Sequence, residues 1–383
     1  MHFEPYVAIA FLSHHKGILT RCLRPTKFPA VTSPLPPVLQ LHGSPRELGR
    51  QQGVAVRSQI HANIAVLLGD FLTGARADKL YQITAWQQRL RAFCFDHWPW
   101  LQEEIQGIAE FAEISTDLAE LHCFRAWQYE VYHAGACSSF ALPGANGQTL
   151  TGGTLDDPRF LYTIAHFAPT NGLRFLSFPI AGTVWANRGM NEAGLALGIS
   201  SLICPGVKFD LDNLVPVDLV FRDMLQTCAT VAEIEDRCRR YKFFCNLIAV
   251  DATGAVFASS NYCGDFTKHD SAQHTFALTN HPTGGAETAL RQRGYTGPDP
   301  SGFSIERLEQ ITAWMTANHG RATVNDAIAF LGATPTPGRV NNQHTSFASV
   351  AMPQAHPHTF WIAQQPVTTA AFAAIDVRTG KPT

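Results

Sequence analysis

The sequence changes its periodicity at Cys137. From Leu41 to Tyr132, apolar residues recur at the spacing of amphipathic helices. Beyond Cys137, short apolar runs alternate with turn signals, and Asn146-Gly147 supplies the positive dihedral angles that a tight hairpin requires. Helices that precede and interrupt such hairpins bury their apolar faces against sheets. We therefore predict an α+β fold in which helices cover antiparallel sheets.

The composition indicates a globular protein with a small-molecule partner. Of 383 residues, 45% are hydrophobic and 16% charged, so the chain can bury a sizeable core as one large domain or two ordinary ones. A net charge of -2 provides no general field for nucleic acid or an anionic membrane. No apolar stretch reaches the roughly 20 residues that span a bilayer. We expect a cytoplasmic protein that binds neither nucleic acid nor membrane.

Residues 1–40 predict an extended, mobile leader, because prolines cluster between Pro25 and Pro37. The leader begins without the basic residue of a signal peptide, and no clean small-residue cleavage site follows its apolar run. Capping signals predict the starts of five helices. The capping residues are Ser44, Thr116, Thr230, Ser304 and Thr323. A separate prediction is a strand at residues 182–189.

The cysteine content argues against structural metal or disulfide bonds. Nine cysteines are spread along the chain without a C-x-x-C pair, so neither a zinc site nor a disulfide framework is indicated. Cys137 differs from the others in its neighbours. Gly135 and Ala136 keep the preceding backbone uncrowded, as a thiol nucleophile needs. The alternative is that Cys137 is an ordinary buried cysteine, which is the commonest state of that residue.

Four segments together resemble a known family. They are HGSPRELGRQQG from residue 42, WPWLQEEIQGIAEFAEI from residue 98, GACSSF with GGTLDDP, and NEAGLAL with LTNHP. In this order and spacing the chain resembles the acyl-coenzyme A:6-aminopenicillanic-acid acyltransferase family, which comprises cysteine Ntn (N-terminal nucleophile) hydrolases and is related to the choloylglycine hydrolases. The resemblance runs from about Leu41 to about Phe372.

The resemblance implies a four-layer αββα Ntn-hydrolase sandwich with an N-terminal helical segment. It also implies an autoprocessing hydrolase or acyltransferase that acts on a linear amide or acyl thioester through an S-acyl-Cys137 intermediate. Self-cleavage between Ala136 and Cys137 would leave a helical chain, residues 41–136 behind the leader, associated with a catalytic chain, residues 137–383. No cofactor or metal is implied. The resemblance allows acyl-coenzyme A as a co-substrate. It is also compatible with a homo-oligomer.

The family motifs assign roles to three further residues. Asp156 would hold the new ammonium group of Cys137, with Asp157 as the competing carboxylate. Asn280 would stabilise an oxyanion through its amide donors, and a turn asparagine is the alternative. Arg307 would bind a carboxylate or hold Asp156, although a solvated helix arginine fits equally well.

The chain departs from the family pattern at four positions. Gly153 stands where bile-salt hydrolases place an arginine, and Ser200 and Ser201 stand where some relatives have an asparagine. Ala136 replaces the usual glycine before the nucleophile. These departures leave a catalytically silent binding scaffold as one alternative. A second alternative is a single-chain Cys-His hydrolase, for which His281 is a candidate partner.

Overall fold

The computed structural model describes residues 37–73, 80–124, 136–207, 214–262, 264–298, 303–333, 335–336 and 338–383. Nearly all of the predicted leader and the segment 125–135 before the cysteine lie outside those ranges. The first strand begins at Val38, so Val38, Leu39 and Gln40 belong to a sheet.

Ten α-helices lie in the described part of the chain. In chain order they are α1 (Pro45–Ala55), α2 (Arg57–Thr73), α3 (Leu80–His97), α4 (Trp100–Ala112), α5 (Thr116–Cys123), α6 (Val217–Thr227), α7 (Val231–Arg240), α8 (Gly284–Arg291), α9 (Ser304–Asn318) and α10 (Val324–Leu331).

Fifteen strands in the same ranges form two sheets. They are β1 (Val38–Gly43), β2 (Ala136–Pro143), β3 (Thr149–Asp156), β4 (Ile164–Pro169), β5 (Phe175–Ser177), β6 (Gly189–Asn191), β7 (Ala196–Ser200), β8 (Cys245–Val250), β9 (Val256–Tyr262), β10 (Asp265–Lys268), β11 (Phe276–Leu278), β12 (Thr345–Ala351), β13 (Thr359–Gln364), β14 (Ala373–Asp376) and β15 (Lys381–Pro382). One sheet has the order β1-β4-β5-β6-β7-β8-β9-β10, and the other has the order β11-β2-β3-β12-β13-β14-β15.

The two sheets lie face to face with helices on both outer sides. Helices α9 and α10 pack on the outer side of the seven-stranded sheet around β2, β3 and β12. Helices α6, α7 and those of the N-terminal segment share a core with the eight-stranded sheet. Between the sheets lies a third core, which includes Cys137, Leu155 and Phe347 from one sheet and Ile164 and Met190 from the other. The predicted four-layer αββα arrangement with an N-terminal helical segment is confirmed.

The predicted hairpin after Cys137 is confirmed in detail. Strands β2 and β3 pair antiparallel, with Cys137 opposite Leu155 and Ala136 opposite Asp156. Asn146 (φ 59°) and Gly147 (φ 70°) adopt the positive dihedral angles expected at the turn.

Three of the five predicted helix caps are confirmed. The side chains of Ser44, Thr230 and Thr323 each accept a hydrogen bond from the backbone of their helix. Two predictions were wrong. Ser115, not Thr116, caps α5, and Ser304 is the first residue of α9, after Phe303 at the N-cap position. The Ser304 hydroxyl is used by the candidate site instead.

The predicted strand at residues 182–189 was wrong, because only Gly189 belongs to a strand. The segment bonds to the N-terminal helices instead. Gln52 accepts a hydrogen bond from Gly182 N (2.7 Å) and donates one to Thr183 O (3.2 Å), and Trp185 Nε1 donates to Cys123 O (2.7 Å). Strand β1 was not predicted; it is the only parallel neighbour in either described sheet and pairs with distant β4.

No helix within the described ranges combines the length and apolar character needed to cross a membrane.

Candidate active site

Cys137 is the second residue of β2, and β2 lies between β11 and β3 in the seven-stranded sheet. Its side chain points between the two sheets and is 4% exposed. Its backbone groups are bound by side chains: the N–H donates to Asn280 Oδ1 (2.9 Å), and the carbonyl accepts from Arg307 Nη1. The Asn280 side chain therefore fixes the position of the Cys137 backbone nitrogen.

Asn280 lies two residues after the end of β11 and is held in one orientation by its partners. Oδ1 accepts from Cys137 N and from Arg307 Nη2 (2.7 Å), while Nδ2 donates to Ser201 O (2.9 Å). Two donors on one side and an acceptor on the other distinguish the amide oxygen from the nitrogen. In the uncleaved chain, therefore, the amide oxygen faces Cys137. The predicted oxyanion role would use the second N–H of Nδ2.

Asp156 ends β3 beside Cys137 and is 1% exposed. Its Oδ2 accepts from Asn342 Nδ2 (3.1 Å), whereas the buried Oδ1 has no hydrogen-bond partner of ordinary geometry among the described residues; the Thr345 and Thr154 hydroxyls lie near enough to the carboxyl to lower its pKa. Burial raises the pKa of the Asp156 carboxyl, and the charge of Arg307 opposes that rise. The competing Asp157 has its own partners in Arg159 and Tyr162. Asp156 is therefore the carboxylate with an open oxygen next to the cysteine.

Arg307 lies on α9 and is 1% exposed, which excludes a solvated helix arginine. Besides Cys137 and Asn280, its guanidinium binds Ser138 Oγ (2.8 Å). Burial lowers the pKa of Arg307, and the nearby Asp156 counteracts this effect. The structure thus brings together all four residues that the sequence suggested: Cys137, Asp156, Asn280 and Arg307.

Ser304 binds the backbone of Asn280, and His281 in turn contacts Ser304. The Ser304 hydroxyl accepts a hydrogen bond from Asn280 N (2.8 Å) and lies 2.7 Å from His281 Nδ1. The His281 ring, which the sequence offered as a partner for the thiol, is therefore bound to Ser304. Burial lowers the pKa of His281 and favours its neutral form.

Arg188 is a site residue that the sequence interpretation missed. It immediately precedes β6 in the facing sheet, is 2% exposed, and donates from Nη2 to Ser138 O (2.7 Å) and Ser139 Oγ (2.6 Å). A signal was present, because Arg188 is the only charged residue between Arg174 and Glu192. A single arginine in such an apolar stretch is rarely fully buried unless it binds other groups.

At three of the positions that depart from the family pattern, the structure shows what surrounds the residue. A Cβ at Gly153 would lie 1.9 Å from Ser138 O and 2.8 Å from Arg188 Nη2, so the backbone leaves no room for a side chain there. Ser200 Oγ lies 3.4 Å from Ser139 Oγ and binds Leu278 O, while Ser201 contributes its carbonyl to Asn280.

The Cys137 thiol is protonated at neutral pH in the uncleaved chain. Burial raises the pKa of Cys137 to about 11; the charge of Asp156 adds to the rise, while Arg188 and Arg307 oppose it. A base is thus required before the sulfur can attack a carbonyl. In the described ranges, no group of three or more His, Cys, Asp or Glu side chains is placed to hold a metal ion.

These features define the class of site: a buried cysteine near the head of a strand, with its nitrogen held by an amide, one carboxylate and two guanidiniums nearby. No protein-family model matches the chain, and no curated protein matches its sequence. The predicted membership of the acyl-coenzyme A:6-aminopenicillanic-acid acyltransferase family stays a prediction.

Several solved structures share features of the fold. A variant of conjugated bile acid hydrolase from Clostridium perfringens is 15% identical, with 64% of this chain and 94% of that chain covered at a TM-score of 0.44. Penicillin V acylase from Agrobacterium tumefaciens is 18% identical, with 63% and 87% covered at a TM-score of 0.42. The Caenorhabditis elegans ortholog of N-acylethanolamine-hydrolyzing acid amidase is 15% identical, with 57% and 93% covered at a TM-score of 0.41. These values do not assign the chain to any of those families.

Proposed function

We propose that the protein is an autoprocessing cysteine hydrolase or acyltransferase of the Ntn type, cut between Ala136 and Cys137. The observation that carries the proposal is the contact between Cys137 N and Asn280 Oδ1, next to Asp156 Oδ1, which has no hydrogen-bond partner of ordinary geometry in the described ranges. The backbone N–H of Cys137 already uses the Asn280 acceptor. An ammonium group on the same nitrogen would carry a positive charge that the nearby Asp156 carboxylate can balance.

Self-cleavage balances as an acyl shift followed by hydrolysis. The sulfur of Cys137 attacks the carbonyl carbon of Ala136; an S–C bond forms, the C–N bond breaks, and the Cys137 nitrogen takes up a proton. Water then hydrolyses the thioester, which leaves a carboxylate on Ala136 and a free thiol and amine on Cys137. The α-amino group titrates at about 7.7 to 8.0, so it can accept the thiol proton near neutral pH.

The same residue would then act on substrate. Cys137 attacks the carbonyl of a linear amide or an acyl thioester, the leaving amine or thiol takes the proton from the α-ammonium group, and an S-acyl intermediate forms. Water or an amine releases the acyl group. The outcome is hydrolysis or acyl transfer, and acyl-coenzyme A is one thioester donor that this chemistry accommodates. The second N–H of Asn280 Nδ2 serves as the oxyanion donor in this scheme.

The two fragments are expected to stay together after the cut. Strand β1 of the first fragment pairs along its length with β4 of the second, and the N-terminal helices share one apolar core with the eight-stranded sheet. A buried ion pair, Glu104 with Arg222, also joins the two parts.

Intact-mass measurement on freshly purified protein tests the proposal. The wild type should give two fragments divided at Ala136-Cys137, and Cys137→Ala should stay intact. Cys204→Ala, which removes another buried cysteine, should cleave like the wild type. An uncut wild-type chain that hydrolyses amides, and loses this activity on Cys137→Ala, would contradict autoprocessing and favour a single-chain hydrolase. An uncut chain that neither reacts with thiol reagents at Cys137 nor hydrolyses amides or thioesters would leave a binding scaffold.

A further inference from the structure

Arg188 is buried between the sheets, and none of the described residues gives it an anionic hydrogen-bond partner. Within the described ranges its hydrogen bonds go to Ser138 O, Ser139 Oγ and, at 3.5 Å, Ile199 O, which are neutral. Its buried Nε has no hydrogen-bond partner in the same ranges. Among the described residues it forms no ion pair, in contrast to the buried Arg222, which binds Glu104 through two hydrogen bonds. Burial of a charge without a counterion costs free energy, so the buried charge of Arg188 indicates a functional role.

Two glycines make room for this guanidinium. A Cβ at Gly198 would lie 2.7 Å from Arg188 Nη1, and a Cβ at Gly153 would lie 2.8 Å from Nη2. These glycines belong to β7 in one sheet and β3 in the other. The guanidinium thus occupies a space that both sheets leave open, deep in the interior and on the side of β2 that carries Ser139 and Cys137.

The charges around Cys137 do not balance while its sulfur is a neutral thiol. Arg188 reaches the site from the segment before β6, Arg307 from α9, and Asp156 from β3; His281, behind Asn280, is kept neutral by burial. Among the described residues, two positive charges therefore face one negative charge. A thiolate at Cys137 would supply the second negative charge.

We propose that Arg188 is a positioning residue that stabilises the thiolate form of Cys137 from the facing sheet. The inference rests on the proposed function only in that the thiolate is the attacking species. The proton leaves the sulfur for the α-amino group during catalysis, or for solvent in the uncleaved chain, and Arg188 stays protonated near neutral pH. Its pKa, lowered by burial to about 10, remains well above neutral pH.

The pH dependence of Cys137 alkylation tests the proposal without any substrate. Wild type, Arg188→Lys and Arg188→Met react with iodoacetamide over a pH series, and peptide mass spectrometry measures the modification of Cys137 alone. The midpoint should rise by at least one pH unit in Arg188→Met, with about tenfold slower alkylation at pH 8, and should return most of the way in Arg188→Lys. Arg174→Met, which removes an exposed arginine near β5, is the matched control and should leave the midpoint unchanged.

Each sample is checked for folding by near-ultraviolet circular dichroism and for cleavage by intact mass. Arg188→Met that stays uncut while Arg188→Lys is cut would also support the proposal, because the same thiolate performs the cleavage. An unchanged midpoint in folded Arg188→Met would overturn it, as would a wild-type Cys137 that resists alkylation at every pH. A midpoint shift in a protein that stays uncut and turns over neither amides nor acyl thioesters would leave Arg188 assigned and refute the proposed function instead.

Discussion

Cys137 is subject to two opposing requirements. Burial among apolar side chains keeps water from the sulfur but raises its pKa to about 11, which disfavours the reactive thiolate. The surrounding charges act on this balance in both directions, since Asp156 disfavours the thiolate and the two arginines favour it. A base on the same residue, such as a free α-amino group, would resolve the conflict because it needs no further side chain near the sulfur.

Replacement of Asp156 by asparagine tests whether the carboxylate charge is needed for activity. The variant keeps the shape but loses the charge that would hold the α-ammonium group, so we expect kcat for amide hydrolysis to fall by about 10²-fold, the lower range for a misplaced acid-base group. Steady-state kinetics on a simple amide provides the measurement.

Asp157→Asn is the matched control for this change, since Asp157 binds Arg159 and Tyr162 rather than the cysteine. Its kcat should stay within about threefold of wild type, because its hydrogen bonds to Arg159 and Tyr162 do not reach Cys137. Equal losses in the two variants would contradict the assignment of Asp156.

The four proposed site residues could be named from the sequence because the family resemblance places each of them in a short motif; the structure brings the four together, and their roles stay predictions. Arg188 could not be predicted in the same way. Its partner β2 is contributed by the other sheet, and the face-to-face arrangement of sheets is not encoded in the neighbourhood of residue 188. Ser304 shows the same limit: its helix-start pattern was recognised, but its contact with Asn280 depends on the docking of α9 against β11.

At the scale of elements, the β2–β3 hairpin carries both the proposed nucleophile, Cys137, and the carboxylate of Asp156. Its turn and strand alternation were visible in the sequence, whereas the segment at residues 182–189 had a strand pattern that tertiary contacts overrode. The difference is physical: a hairpin bonds to itself, but a lone extended segment takes whichever partners the fold supplies. Gly152 and Gly153 in β3 mark where the backbone of this hairpin packs most tightly.

Alanine at Gly153 should therefore destabilise the protein strongly. The position has φ 153°, and the added Cβ would meet Ser138 O at 1.9 Å. Backbone strain of about 1 to 3 kcal/mol adds to a similar cost of overpacking. Urea unfolding should show a loss at least about 2 kcal/mol larger than that of Gly147→Ala, which has positive φ but open space and should lose about 1 to 2 kcal/mol. Equal losses would show that β3 shifts to accommodate the methyl group.

At the scale of the molecule, the N-terminal segment and the catalytic region form one folded unit. The proposed cut would fall near the head of β2, while the contacts that join the parts lie elsewhere, in the β1–β4 pairing and in the helical core. Glu104 on α4 and Arg222 on α6 are both fully buried, and two hydrogen bonds of 3.0 and 2.9 Å link them. Phe167 and Phe175 pack against the same guanidinium.

Removal of the Glu104 carboxylate should weaken the union of the two parts. Glu104→Ala leaves Arg222 buried without a counterion, which typically costs about 3 to 5 kcal/mol, so the free energy of unfolding should fall by that amount. The fragments should also separate at lower urea concentration on size-exclusion chromatography. Glu110→Ala, whose partner Arg46 is exposed, is the matched control and should change the stability by less than about 1 kcal/mol. A Glu104→Ala protein as stable as this control would mean that the β1–β4 pairing and the apolar core hold the helical segment without the ion pair.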